Sequence, residues 1–181
     1  MLRIDKRIPR ILTKDEIAKI LRYSRRNDYD MYRIILFALW TGARRSEVCN
    51  GRFEHISDLA IRIKGKGNKE RVVPLLPMAQ YAIGKKVHIG RIFKGWHPDT
   101  ISHRFKSICG RTGINGLHFH NLRHSAATYF LAAGLDITMI QKILGHAAIS
   151  TTQIYADVLQ DRLKTEMWGK LALKMHPGKA K

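Results

Sequence analysis

Between His118 and His124 the chain reads His-Phe-His-Asn-Leu-Arg-His, so three histidines and one arginine fall within seven residues. Two chemistries compete for this string. His120 and His124 are four apart and share a helix face, an acceptable pair of zinc ligands. Against a metal, Arg123 sets a fixed cation beside them, and neither a cysteine nor a carboxylate lies nearby in sequence. Read without a metal, His120 and Arg123 at i and i+3 point the same way. A guanidinium holding two oxygens of a phosphate, next to an imidazole that can move a proton, suits phosphoryl chemistry.

A second string, Thr41-Gly42-Ala43-Arg44-Arg45-Ser46-Glu47-Val48, places two adjacent arginines just after a glycine stop. They fall at a helix start, where backbone N–H groups also favour an anion, and Glu47 can orient Arg44 from three residues away. The two arginines cannot both face one way, so only one is expected to be a site residue. Lys64, Lys66 and Lys69 surround a turn. From there a lysine can reach a phosphate or a leaving oxygen, or simply keep a loop soluble. Leu144-Gly145-His146 and Tyr155 complete the set. A tyrosine packs more often than it attacks, because its hydroxyl is a weak nucleophile until its proton is removed. The stretch from Asp136 to Leu159 also reads as a helix-turn-helix, with Ser150 to Leu159 as recognition helix of a non-catalytic DNA-binding regulator. Such a helix should offer base-reading side chains, and here Gln153 alone serves.

The chain that carries these residues has 181 residues and a net charge of +19. Its length fits one domain with a short tail, and 45% hydrophobic residues suffice for a packed core. A pI near 10.4 points to a polyanionic partner. Between Ile61 and Arg111 twelve Lys and Arg residues face only Glu70 and Asp99, so over half of the excess charge sits mid-chain. The longest apolar run, Ile34 to Trp40, is too short to span a bilayer. The only cysteines, Cys49 and Cys109, form no C-x-x-C pair, which fits a reducing cytoplasm and argues against thiolate zinc.

The elements that must position the candidates are readable. Thr13 and Glu16 form a capping box ahead of Ile17, Ile20 and Leu21, which share a helix face. A second helix covers about Tyr29 to Trp40, with Met31, Ile34, Ile35, Ala38 and Leu39 inside, and Gly42 ends it. A short helix runs over Arg44 to Cys49. Leu59, Ile61 and Ile63 then alternate with Ala60, Arg62 and Lys64, and Arg71 to Leu75 returns, which predicts a β-hairpin with a basic tip. Helical spacing resumes after Pro98, with Ile101, Phe105, Ile108 and Cys109 on one side. Further helices are expected from His120 to Ala133, from an Asp136 cap to Leu144, and from a Ser150 cap carrying Tyr155. The fold class is mainly α with a small antiparallel β-sheet (α+β).

Taken together, the strings resemble the catalytic domain of the tyrosine recombinases, the phage integrase family. That family shows T-G-x-R-x-S-E, a hairpin lysine, H-x-x-R, L-G-H and a tyrosine, in this order. Arg44, Lys66, His120 with Arg123, His146 and Tyr155 stand in that order here, and Tyr155 follows Arg123 by 32 residues. The resemblance runs from about Leu12 to Asp161. It departs at Arg45, where the family has an apolar residue, and at Asn121, where aspartate is frequent.

The resemblance implies strand cleavage and rejoining of double-stranded DNA without metal, cofactor or ATP. Tyr155 is implied as nucleophile, forming a 3′-phosphotyrosine, and Arg44, Arg123 and His146 as phosphate-binding groups. His120 is implied as the group exchanging the tyrosine proton and Lys66 as acid for the leaving 5′-oxygen, with Lys64 and Lys69 as alternatives. Glu47 and His124 would support them. Other copies of the chain, assembled as a tetramer on DNA, are the implied protein partners. A membrane and a small-molecule substrate are not expected, and the setting is cytoplasmic. The expected organisation is one catalytic domain over 1–173, its core about 12–161. A helix at about 162–173 carries Leu163, Met167, Trp168 and Leu171, and a flexible basic tail covers 174–181. The family's N-terminal core-binding domain is expected to be missing.

Overall fold

A helix buried nearly all round organises the chain. In the structure, a computed structural model that describes residues 9–65, 69–85, 87 and 89–145, α2 (Tyr29–Thr41) buries Met31, Tyr32, Ile34 to Leu39 and Thr41. Such a helix has no solvent stripe and takes neighbours on several sides. Its sequence pattern predicts one apolar face, and the extra burial of Tyr32, Leu36 and Phe37 comes from those neighbours. They are α1 (Lys14–Asn27), α4 (Pro77–Ile83) and α6 (His120–Ala132).

The remaining described elements are α3 (Arg45–Asn50), a 3₁₀ turn at Phe53–His55, β1 (Ile56–Ser57), β2 (Ala60–Lys64), β3 (Glu70–Pro74), α5 (Pro98–Arg111) and α7 (Ile137–Leu144). Local chemistry explains most boundaries. The Thr13 hydroxyl accepts from the Glu16 N–H, and the Glu16 carboxylate accepts from the Thr13 N–H at 2.9 Å, closing the expected capping box. Asp136 caps α7, and Gly145 ends it in the left-handed region. Gly42 ends α2 at φ +65°, and a Cβ there would collide with Leu144. Glycine is required twice over at this corner, by backbone conformation and by space.

The three strands lie in the order β1-β2-β3, all antiparallel. Ile61 pairs with Val73 and Ile63 with Arg71, so these four share the inward face. Leu59, expected beside Ile61 and Ile63, is 68% exposed. It belongs to the turn opened by Asp58 at φ 49°, and β2 begins only at Ala60. Strand β1 and helix α4 had no counterpart in the sequence reading. Two residues show no alternation and seven give barely two helical turns, although Pro77 at the helix start was a usable sign.

The four apolar residues expected on one side of α5, Ile101, Phe105, Ile108 and Cys109, are all buried, with Phe105 edge-on to Phe119 at 5.6 Å. A satellite cluster of Ala126, Ala127, Phe130, Ile140 and Leu144 joins α6 to α7. The segment before α1 is tied to α6 by the Leu12 N–H, which donates to Ser125, and by Tyr129, which donates to the Leu12 carbonyl. Lys66, His146 and Tyr155 lie outside the described residues, as do the helix expected from Ser150, the helix at 162–173 and the tail 174–181.

Candidate active site

The corner between α2 and α3 sets the first cation. Arg44 is the residue before α3, in extended backbone, and the Glu47 carboxylate reaches back to it. Glu47 accepts the Arg44 backbone N–H at 2.8 Å on Oε2 and the Arg44 guanidinium at 2.8 Å on Oε1. The expected orienting role of Glu47 has this geometry behind it. The Glu47 side chain is 1% exposed while that of Arg44 is 36% exposed, so the carboxylate is an internal anchor and the guanidinium faces the cleft.

Glu47 holds a second arginine that sequence reasoning did not single out. Arg71 of β3 donates Nη1 to Oε1 at 2.9 Å and Nη2 to Oε2 at 2.7 Å. Its Nε donates to the Ile143 carbonyl at 2.7 Å. The signal was available: Arg71 stands two residues before Val73, so strand alternation points it inward. Burial alone would raise the Glu47 pKa. The bonds and charge of Arg71, with the bonds from Arg44, overcome this and hold it at about 2.

Arg123 is 1% exposed. Its Nη1 donates to the Gly42 carbonyl at 2.7 Å and its Nη2 to the Leu144 carbonyl at 2.6 Å. The guanidinium therefore links the end of α2 to the end of α7 from beneath. His120, one turn earlier on α6, is exposed in the cleft. Partial desolvation by the cleft wall, then the charges of Arg123 and Arg44, hold its pKa below the usual imidazole range, which favours the neutral ring at neutral pH. The His124 ring lies edge-on to it at 4.6 Å. Burial first, then His120 and Arg123, push His124 down to about 4.

Arg44 and His120 border a cleft of about 540 Å³ that is also lined by Arg45, Ser102, Lys106 and His118, among others, while Arg123, Glu47, Arg71 and His124 lie behind its lining. Among the described residues no carboxylate lines it, so its lining suits an anion. Arg44 and Arg45 both line it, which corrects the expectation that one must turn away. Arg44 precedes the helix and Arg45 is its first residue, so helical spacing does not separate them. Arg45 is nevertheless engaged, donating to Asp99 at 3.1 Å and to Ser102 at 2.7 Å on the α5 wall. Asn121 accepts the His118 N–H at 2.7 Å and donates to the Arg10 carbonyl at 2.8 Å. Aspartate could make only the first of these bonds. Among the described residues no group of three or more His, Cys, Asp or Glu could hold a metal ion.

The described site thus gathers Arg44, Glu47, His120, Arg123 and His124 around one corner. The hairpin side chains Lys64 and Lys69 are not among the cleft-lining residues. Instead Lys64 forms an ion pair with Glu70 at 3.2 Å.

Known proteins resemble this chain in sequence and in fold. The phage integrase family model matches residues 10–162. A tyrosine recombinase of Pseudothermotoga lettingae is 33% identical over 93% of this chain and 63% of its own length. The tyrosine recombinase XerA of Pyrococcus horikoshii is 36% identical over 90% of this chain and 61% of its own length. The chain therefore spans about six tenths of the length of these relatives. Among solved structures, XerA recombinase superposes with a TM-score of 0.75 at 30% identity, covering 90% of this chain and 65% of that one. The catalytic domain of bacteriophage HP1 integrase superposes with a TM-score of 0.71 at 26% identity, covering 94% of this chain and 98% of that one. On the strength of a family match extending over most of its length and a shared catalytic-domain fold, the chain belongs to the phage integrase family.

Proposed function

We propose that this chain is the catalytic domain of a site-specific DNA recombinase, cutting and rejoining strands through a covalent phosphotyrosine. The observation that carries this reading is the cleft in which Arg44, braced by Glu47, and His120 stand with no carboxylate among the described lining residues. In the proposed step the Tyr155 oxygen attacks a backbone phosphorus, the bond to the 5′-oxygen breaks, and a 3′-phosphotyrosine forms. The tyrosine proton passes to His120, and Lys66 protonates the departing 5′-oxygen. Ligation is the same step reversed, so the bond energy is conserved without ATP. Arg44 and Arg123 stabilise the negative charge gathering on the non-bridging oxygens, and His146 adds a further donor. Two guanidiniums supply positive charge of the kind that Mg²⁺ supplies in other phosphoryl-transfer sites, and the mechanism invokes no metal or cofactor.

The partners of this reading are double-stranded DNA and, on DNA, further copies of the chain. Among the described residues no helix is long and apolar enough to cross a membrane. We take the setting to be the cytoplasm, where DNA is accessible. Family membership favours this reading over a non-catalytic regulator.

The test is a denaturing gel of protein incubated with DNA bearing its site. The wild-type chain should leave a fraction of DNA covalently attached to protein. Tyr155→Phe should abolish the adduct while binding stays nearly intact, because only the attacking oxygen is lost. Adduct formation by the Phe variant at the wild-type level would refute the nucleophile assignment.

A further inference from the structure

Arg71 belongs to none of the family motifs matched in the sequence, yet it holds the site together. Its side chain is 8% exposed and forks onto both oxygens of Glu47. The third bond, to the Ile143 carbonyl, reaches the last turn of α7. The surroundings are shaped to admit it. A Cβ on Gly145 would lie 2.9 Å from the Arg71 Cδ, and a Cβ on Gly65 would lie 3.3 Å from the Glu47 Oε1. One guanidinium thereby ties the hairpin, the start of α3 and the end of α7.

The charges give this link a purpose. Arg44 and Arg71 carry two positive charges against one on Glu47, so the triad is left with a net +1. Because Arg71 is buried and bidentate, it neutralises Glu47 from within, and the surplus rests on the half-buried Arg44, which lines the cleft. If Arg71 lost its charge, Glu47 would be opposed by Arg44 alone. The pair would then be neutral, and Arg44 would be held against the carboxylate instead of being offered to an anion. We propose that Arg71 is a positioning residue that neutralises Glu47 so that the charge of Arg44 is available to a DNA phosphate. This rests on the recombinase reading for the identity of the phosphate.

The experiment compares Arg71→Gln, Arg71→Lys and the double variant Glu47→Gln/Arg71→Gln with the wild-type chain. Covalent adduct formation is timed at saturating DNA. Arg71→Gln should slow it by ~10²-fold even at saturating DNA, the scale of losing one transition-state donor, with a smaller rise in the DNA concentration giving half-maximal rate, as the loss of one phosphate contact requires. Arg71→Lys, which keeps the charge, should stay within ~10-fold of wild type, and the double variant should be at least ~10-fold faster than Arg71→Gln. A purely structural arginine predicts the opposite order for the double variant, which has lost more. A wild-type rate in Arg71→Gln, no recovery in the double variant, or Arg71→Lys as slow as Arg71→Gln would each overturn the proposal. Should Arg71→Gln lack a cooperative melt, Arg71→Lys and the double variant decide, and a folded member more than ~10²-fold slow refutes it.

A binding arm separates this outcome from failure of the recombinase reading, which absence of any wild-type adduct would signal. The slope of log affinity against log salt counts phosphate contacts and needs no cleavage. Arg44→Ala and Arg71→Gln should each lower that slope by about 1, although Arg71 itself is buried, and the double variant should restore it. A wild-type slope in Arg71→Gln overturns the proposal whatever the cleavage assay shows.

Discussion

At the scale of the residue, the buried Glu47 and the partly buried His124 make this fold sensitive to acid in two successive windows. Glu47 has its pKa held at about 2 against a usual 4.5. A depressed carboxylate pKa adds stability that is complete above the unfolded value and is lost as pH falls from 4.5 toward 2. His124 is depressed from 6.5 to about 4, so the unfolded chain binds its proton first. Stability from this group is complete above pH 6.5 and declines as pH falls to about 4. Each shift corresponds to roughly 3 kcal/mol. Urea midpoints measured from pH 7.5 downward should therefore fall in two stages, and His124→Asn should shrink the upper stage to the share left by the depressed His120 while leaving the lower. A variant that retains the full loss between pH 6.5 and 4 would remove His124 as the cause.

Also at this scale, Arg44 and Arg45 are adjacent in sequence and unequal in chemistry. Arg44→Ala should slow adduct formation by at least ~10²-fold. Arg45→Ala should cost much less, because its guanidinium is taken up by Asp99 and Ser102. A larger loss in Arg45→Ala would show that the site is built around the wrong arginine. The motif residues Arg44, His120 and Arg123 were legible because each sits in a short recognisable string. Arg71 was not, because its meaning lies in a pairing with Glu47 across 24 residues of chain. Only its inward strand position gave it away. The burial of Arg123 was equally hidden, since H-x-x-R says nothing about the carbonyls of Gly42 and Leu144.

At the scale of the element, boundaries set by local chemistry were legible and those set by neighbours were not. The Thr13–Glu16 box, the Asp136 cap and the Gly42 and Gly145 stops are decided within a few residues. Strand β1 exists only because β2 is beside it, and α4 is too short to show a period. The corner at Gly42 joins element to function. Its left-handed backbone lets the chain turn from α2 into Arg44, and its carbonyl accepts Arg123. Gly42→Ala should destabilise the protein by about 1–3 kcal/mol, the cost of a strained left-handed residue, with more from the collision with Leu144. Cleavage should fall further than the loss of folded protein explains, because Arg123 is displaced together with the corner. Measuring Tm and adduct rate on the same preparations checks this, and a rate loss that merely tracks the unfolded fraction contradicts it.

At the scale of the whole molecule, the governing quantity is a net charge of +19 on a chain covering 63% and 61% of the length of two longer relatives. The described cleft offers cations and imidazoles, which suit phosphate oxygens rather than discrimination among base edges. The density of Lys and Arg between Ile61 and Arg111 runs through the hairpin and α5, so the basic surface extends beyond the cleft. Binding driven by such a surface gains its free energy from counterions released by the DNA, and it weakens steeply with salt. The chain alone should therefore bind DNA in the ~10⁻⁴ to 10⁻⁶ M range of non-specific contacts, with little preference for one sequence. Titrating a cognate site and its scrambled counterpart at two salt concentrations measures both terms together. Phosphate-driven binding predicts two nearly superimposed curves that shift in parallel as salt rises. Curves that separate widely and hold their places at high salt would mean that base recognition resides in these 181 residues themselves, and the cleft would then have to be read as one wall of a sequence-selective surface.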